Sequence, residues 1–166
     1  DRTLAAQAVI EGQATLVPLM AELGMGAALP GGWDRVRDMI RDSHGPEMAV
    51  FRSAPMMLQE TLIFPYLSGA EFMRQFYAHR PGQQPYGPNM PTSTGQILDP
   101  ATYFGPQRRQ PLGVEFAKPA AGTVTYADDM GEFGTRLFLF QFLHEQNEPM
   151  RAAAGWAGDR YEVIHV

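Results

Sequence analysis

The chain of 166 residues contains no cysteine. Disulfides, thiolate metal sites and cysteine nucleophiles are therefore excluded. Histidine is scarce, with His44, His79, His144 and His165 the whole set. Charge is sparse and tilts acidic: 13 Lys+Arg stand against 18 Asp+Glu, a net −5. That balance argues against a nucleic-acid partner, which needs a basic footprint. It argues equally against a polybasic membrane anchor. No unbroken apolar run approaches the ~18 residues of a bilayer span, so no transmembrane segment is expected. Internal repeats, low-complexity tracts and a signal-peptide core are also missing.

What is present is a chain that is 45% hydrophobic, enough to build one packed domain over 1–166. Gly and Pro number 17 and 14, so regular elements must be separated by defined loops. The first residue is Asp1. Residues 1–10 read as helix interior with no cap, which leads us to expect a missing upstream N-terminal segment.

Leu4, Ala8, Glu11 and Thr15 share one helical face, with Val9, Leu16, Met20 and Leu23 on the apolar side. The spacing predicts a helix over 2–23, weakened locally by Gly12 and Pro18 and stopped at Gly24 and Gly26. A shorter charged helix is expected over 33–42. Leu58, Leu62, Tyr66, Gly69, Met73 and Phe76 predict a long helix over 53–80, with Ser53 as N-cap, Pro55 in the first turn and Pro65 as a kink. Gly69 and Ala70 would admit a neighbouring element closely. Residues 81–92 read as an extended loop.

Ser93-Thr94-Gly95-Gln96 has the capping-box pattern, and Asp99-Pro100 is a second helix-start signal. Asp129-Met130-Gly131-Glu132 repeats the box before an apolar helix over 131–145, and Asn147 opens a last short helix. Residues 112–117, 123–127 and 160–166 alternate like strands. The expected fold is mainly α (α+β), a helical domain with a small antiparallel β element near the C-terminus.

Few residues carry recognisable chemistry. Glu11, on the inner face of a helix, is of the type that serves as a third zinc ligand beside two histidines; a hydrogen-bonded core glutamate is the plainer alternative. His144-Glu145-Gln146-Asn147-Glu148 begins like HExxH but places Glu148 where the second histidine belongs. Asp128, Asp129 and Glu132 form an acidic cluster that suits calcium or, more simply, helix capping. Arg136 lies four residues from Glu132, the spacing of a helix ion pair. In Gly155-Trp156-Ala157-Gly158-Asp159-Arg160-Tyr161 the side chains of Trp156, Asp159 and Arg160 would either line a cleft or brace a tight structural corner.

Taken in order, several strings resemble the C-terminal portion of an uncharacterised bacterial family of HExxH zinc-metallopeptidase-like proteins. They are Ala8-Val9-Ile10-Glu11-Gly12-Gln13-Ala14-Thr15, Phe64-Pro65-Tyr66-Leu67-Ser68-Gly69-Ala70-Glu71-Phe72 and Pro91-Thr92-Ser93-Thr94-Gly95-Gln96-Ile97-Leu98-Asp99-Pro100. Gly131-Glu132-Phe133-Gly134-Thr135-Arg136 and Ala153-Ala154-Gly155-Trp156-Ala157-Gly158-Asp159-Arg160-Tyr161 follow. The resemblance implies that Glu11 is the third ligand of a His-His-Glu zinc site that activates water for amide hydrolysis. This chain departs from the family: the HExxH segment is not in it, and Thr92, Gly95 and Asp99 replace the family's Arg, Glu and His.

The leading expectation is a metallopeptidase-like domain without catalysis, a pseudoenzyme acting as an accessory or structural subunit that binds protein partners. The chain by itself then needs no cofactor. The alternative is the C-terminal half of a zinc-dependent peptidase, with Glu11 on the metal and Glu132, Arg136, Trp156, Asp159 and Arg160 lining or bracing the cleft. The resemblance and the Asp1 start imply a periplasmic or other extracytoplasmic location in preference to the cytoplasm.

Overall fold

A computed structural model of the chain describes residues 1–23, 32, 35–36, 38, 42, 45, 48–106, 108–143 and 147–166. The helix expected over 33–42 falls largely outside these residues, as do Gly24, Gly26, His44 and His144. The fold is mainly helical, with a two-stranded antiparallel sheet near the C-terminus. Two compact units divide the chain, Thr3–Pro91 and Thr92–Val166, with Asp1 and Arg2 grouped with the latter.

The first unit is built on two long helices, α1 (Arg2–Leu23) and α3 (Met56–His79), with the short α2 (Ala49–Ser53) before α3. The helices meet at glycine. A Cβ on Gly12 would collide with the Gly69 carbonyl carbon, and one on Gly69 with the Ala8 carbonyl oxygen. Gly12, unfavourable for the isolated helix, is thus the residue that lets α1 approach α3. Ala5, Ala8, Val9 and Leu16 are buried on α1, and Ile63, Phe64, Leu67, Ala70, Met73 and Phe76 on α3.

Two expectations for α3 change, its cap and its start. Ser53 does not cap it: Ser53 closes α2, and its hydroxyl donates to the Val50 carbonyl at 2.8 Å. Ala54 is extended (φ −69°, ψ 150°) because the Pro55 ring disfavours helical backbone in the residue before it, so α3 starts at Met56. Leu58, Leu62 and Tyr66 are 55%, 61% and 45% exposed, and the buried stripe of α3 runs through Ile63, Phe64 and Leu67. Residues 81–92 form the expected loop, containing a 3-10 turn at Gly87–Asn89. Arg80 donates to Asn89 at 2.7 Å and Pro85 is fully buried, so the loop is pinned at two points.

The second unit comprises α4 (Thr94–Leu98), α5 (Ala101–Phe104), β1 (Thr123–Asp128), α6 (Gly131–Leu143), α7 (Asn147–Ala153) and β2 (Tyr161–His165). Ser93 caps α4 as expected, accepting from the Gln96 N–H. The reciprocal half of the box does not form. The Gln96 side chain is fully buried and bridges Thr92 N–H (2.9 Å) to the Arg109 carbonyl. Asp99 supports α5 by accepting from Ala101 N–H at 3.1 Å.

β1 pairs with β2 in antiparallel register, Val124 opposite Ile164 and Tyr126 opposite Val163, with a bulge between Val124 and Tyr126. The extra residue sends Val124 and Tyr126 to opposite faces, so both faces of the ribbon carry apolar side chains. The strand expected over 112–117 does not form. Its residues find no ladder partner, and Leu112 N–H instead donates singly to the Ala157 carbonyl at 2.7 Å.

Candidate functional site

Glu11 sits mid-way along α1, half-buried, on the flank it shares with half-buried Leu4 and Thr15. Thr15 turns its hydroxyl back to the Glu11 carbonyl at 2.8 Å. The Glu11 carboxylate makes no hydrogen bond or ion pair with another described residue. The neighbouring Gln13 behaves differently. Its amide donates to Tyr77 Oη at 2.8 Å and accepts from Tyr86 Oη, which ties the 81–92 loop to α1. Desolvation raises the Tyr77 phenol above its ordinary pKa.

The other candidates gather at the start of α6, where the backbone N–H groups need acceptors. Asp159 supplies two of them: Oδ2 accepts from Met130 N–H at 2.8 Å and Oδ1 from Gly131 N–H at 3.1 Å. Oδ1 also accepts from the Trp156 indole at 2.9 Å. Thr94 Oγ1 accepts from Phe133 N–H at 3.2 Å. The expected local box through Asp129 is therefore replaced by acceptors distant in sequence. Gly131 adopts φ 73°, and a Cβ there would strike the Asp1 carboxylate. That carboxylate accepts from the Thr94 backbone N–H at 2.9 Å and from its hydroxyl.

Glu132 is buried and paired with Arg109 at 2.8 Å. Burial pushes its carboxyl above the ordinary value, while the Arg109 charge and hydrogen bond, and the Arg136 charge, pull it down. Glu132 thus pairs directly with Arg109, across 23 residues, and Arg136 one turn along the helix adds a further attraction. Gly95 leaves room for this pair, since a Cβ there would lie 2.7 Å from Glu132 Oε2 and 3.0 Å from an Arg109 nitrogen. Arg160 pairs with Glu162 at 3.0 Å on the surface.

The acidic cluster disperses into separate bonds. Asp128 accepts from Asp129 N–H and from Tyr126 Oη, both at 2.8 Å, which hold its carboxyl below the usual range. The same carboxylate pushes the Tyr126 phenol up to about 12. Asp129 Oδ1 accepts from the Asp1 ammonium at 3.3 Å. Among the described residues no group of three or more His, Asp or Glu side chains is placed to hold a metal ion.

The structure therefore brings Glu132, Trp156 and Asp159 into one unit's polar corner, as hydrogen-bonded bracing, and leaves Glu11 in the other unit. Sequence reasoning missed Arg109, Asp1 and the side-chain roles of Thr94 and Gln96. The only visible signal was the adjacent Arg108-Arg109 pair in a chain poor in basic residues. No family model matches the chain, and neither does any curated protein or solved structure.

Proposed function

We propose that the chain is a metallopeptidase-like domain that serves as an accessory or structural subunit and binds protein partners without catalysing a reaction. The observation that carries this reading is the apolar side chain content of its surface. Ile10, Leu62 and Tyr66 on the first unit and Tyr126, Val163 and Ile164 on the second are all more than 40% exposed. Apolar surface of this kind gains free energy when a partner removes it from water. The structural bonds of Glu132 and Asp159 add support, because each carboxylate already serves the backbone or an arginine. An extracytoplasmic location belongs to the same proposal and rests on the sequence resemblance; cell fractionation tests it.

A second reading is favoured by Glu11, whose half-buried carboxylate has no partner among the described residues. In it the chain is the C-terminal part of a zinc-dependent hydrolase, with Glu11 the third ligand. The described residues supply one ligand of three and do not by themselves fit a zinc centre, so no chemical step follows from them. Intact mass, metal content and co-purifying protein, measured on natively purified material, separate the readings. The accessory reading expects a metal-free chain with a stoichiometric protein partner. A solitary monomer overturns it, as does about one zinc per chain that Glu11→Ala releases.

A further inference from the structure

We propose that the outer face of α1 is the docking surface for a helix of a protein partner, and that this helix sets one lysine or arginine opposite Glu11. The inference rests on the accessory-subunit reading and names the partner's chemistry. By length and composition, Arg2–Glu22 of α1 is long and apolar enough to cross a membrane. Apolar surface left bare on such a helix gains free energy when it is covered. Its inner face is closed by the Gly12–Gly69 approach, which leaves no room for another element. Its outer face is open, with Ile10 53% and Val17 49% exposed and Ala14 exposed between them. These three fall at i, i+4 and i+7, the anchor spacing of helix-in-groove recognition.

Glu11 decides what covers that face. It is the only ionisable side chain between Arg2 and Glu22. It stands at the edge of the apolar face, one turn from Gln7 and Ala14. A carboxylate covered by apolar surface is costly unless paired. Lipid would place it near the bilayer centre, at a cost of roughly 2.5–3.5 kcal/mol or more for an acidic side chain. A partner helix with a basic side chain at that level satisfies the carboxylate and covers Ile10, Ala14 and Val17 together.

The test places the photo-crosslinking amino acid p-benzoylphenylalanine at position 14 of the full chain in its native cells, with position 163 as a control. Crosslinked peptides are mapped by mass spectrometry. The expected result is a crosslink from position 14 to an apolar, helix-forming peptide of another protein that contains Lys or Arg. Glu11→Lys should lower its yield by about tenfold or more, and Glu11→Gln by less. Exchanging the mapped basic residue for glutamate should restore the yield with Glu11→Lys. Unchanged circular dichroism shows that the variants fold. The inference is overturned if position 14 crosslinks to lipid, to another part of the same polypeptide or to a second copy, or if Glu11→Lys leaves the yield intact. Should a partner co-purify but crosslink only from position 163, the inference fails and the accessory-subunit reading stands. Failure to recover any partner ends both.

Discussion

Asp159 illustrates how much one side chain of the second unit holds. Its two oxygens take the Met130 and Gly131 N–H groups and the Trp156 indole. Asp159→Ala should therefore lower stability by about 2–3 kcal/mol, because a helix cap and a charged hydrogen bond are lost together. Asp159→Asn should cost less, since one acceptor oxygen remains. Urea unfolding followed by tryptophan fluorescence measures both, and a loss below about 0.5 kcal/mol for the alanine variant would remove Asp159 from this role. Glu132 gives a pH signature. Its folded pKa lies above its ordinary value of 4.5, because burial outweighs the attraction of Arg109. The folded state therefore holds this proton more tightly than the unfolded chain does. The stabilising contribution is full below the unfolded value and is lost as pH rises through the folded one. Relative to Glu132→Gln, the native protein should gain stability as pH falls from neutrality toward 4.5. A difference that stays flat, or grows with rising pH, contradicts that sign.

Among the elements, the α1–α3 pair depends most on residue size. Gly12→Ala improves the helix propensity of α1 by up to about 1 kcal/mol. The added Cβ meets the Gly69 backbone, which cannot turn aside as a flexible side chain would. Overpacking at about 1–3 kcal/mol should win, so the urea midpoint should fall. A raised midpoint would mean that the helices separate at little cost. The two long helices, the caps at Ser93 and Asp99 and the strands near 123–128 and 161–165 were legible because each signal is local. Periodicity, a hydroxyl before a helix and β-branched alternation need no distant partner. The start of α3 and the acceptors that begin α6 were not legible, for the opposite reason. Pro55 made Ala54 extended, and Asp159 and Thr94 displaced the nearby Asp129 as acceptors. The stretch 112–117 alternates like a strand, but alternation makes a strand only where an edge is available to pair with it.

For the whole molecule the exposed apolar surface is the dominant fact. The two-stranded sheet carries Val124 and Ile164 on one face and Tyr126 and Val163 on the other, all at least 37% exposed. Two-stranded ribbons without a covering layer are marginal in water. The purified chain should thus associate in a concentration-dependent manner by analytical ultracentrifugation. Leu62→Lys combined with Val163→Lys should suppress that association while changing stability by no more than about 0.5 kcal/mol per site. Unaltered sedimentation in the double variant would show that these positions do not drive it.

Composition and periodicity alone determined that the chain is cysteine-free, acidic and mainly helical, with a β pair near its end. These properties are sums over neighbouring residues, and a chain carries them before it folds. Which apolar stripe of α3 faces inward, which acceptors begin α6 and which arginine neutralises Glu132 were decided only by tertiary structure. Each is a choice among chemically similar candidates, settled by which distant side chain arrives within hydrogen-bonding distance. Glu11 lies at the boundary between the two. Its helix and its flank follow from spacing, and its role depends on what covers the open face of α1.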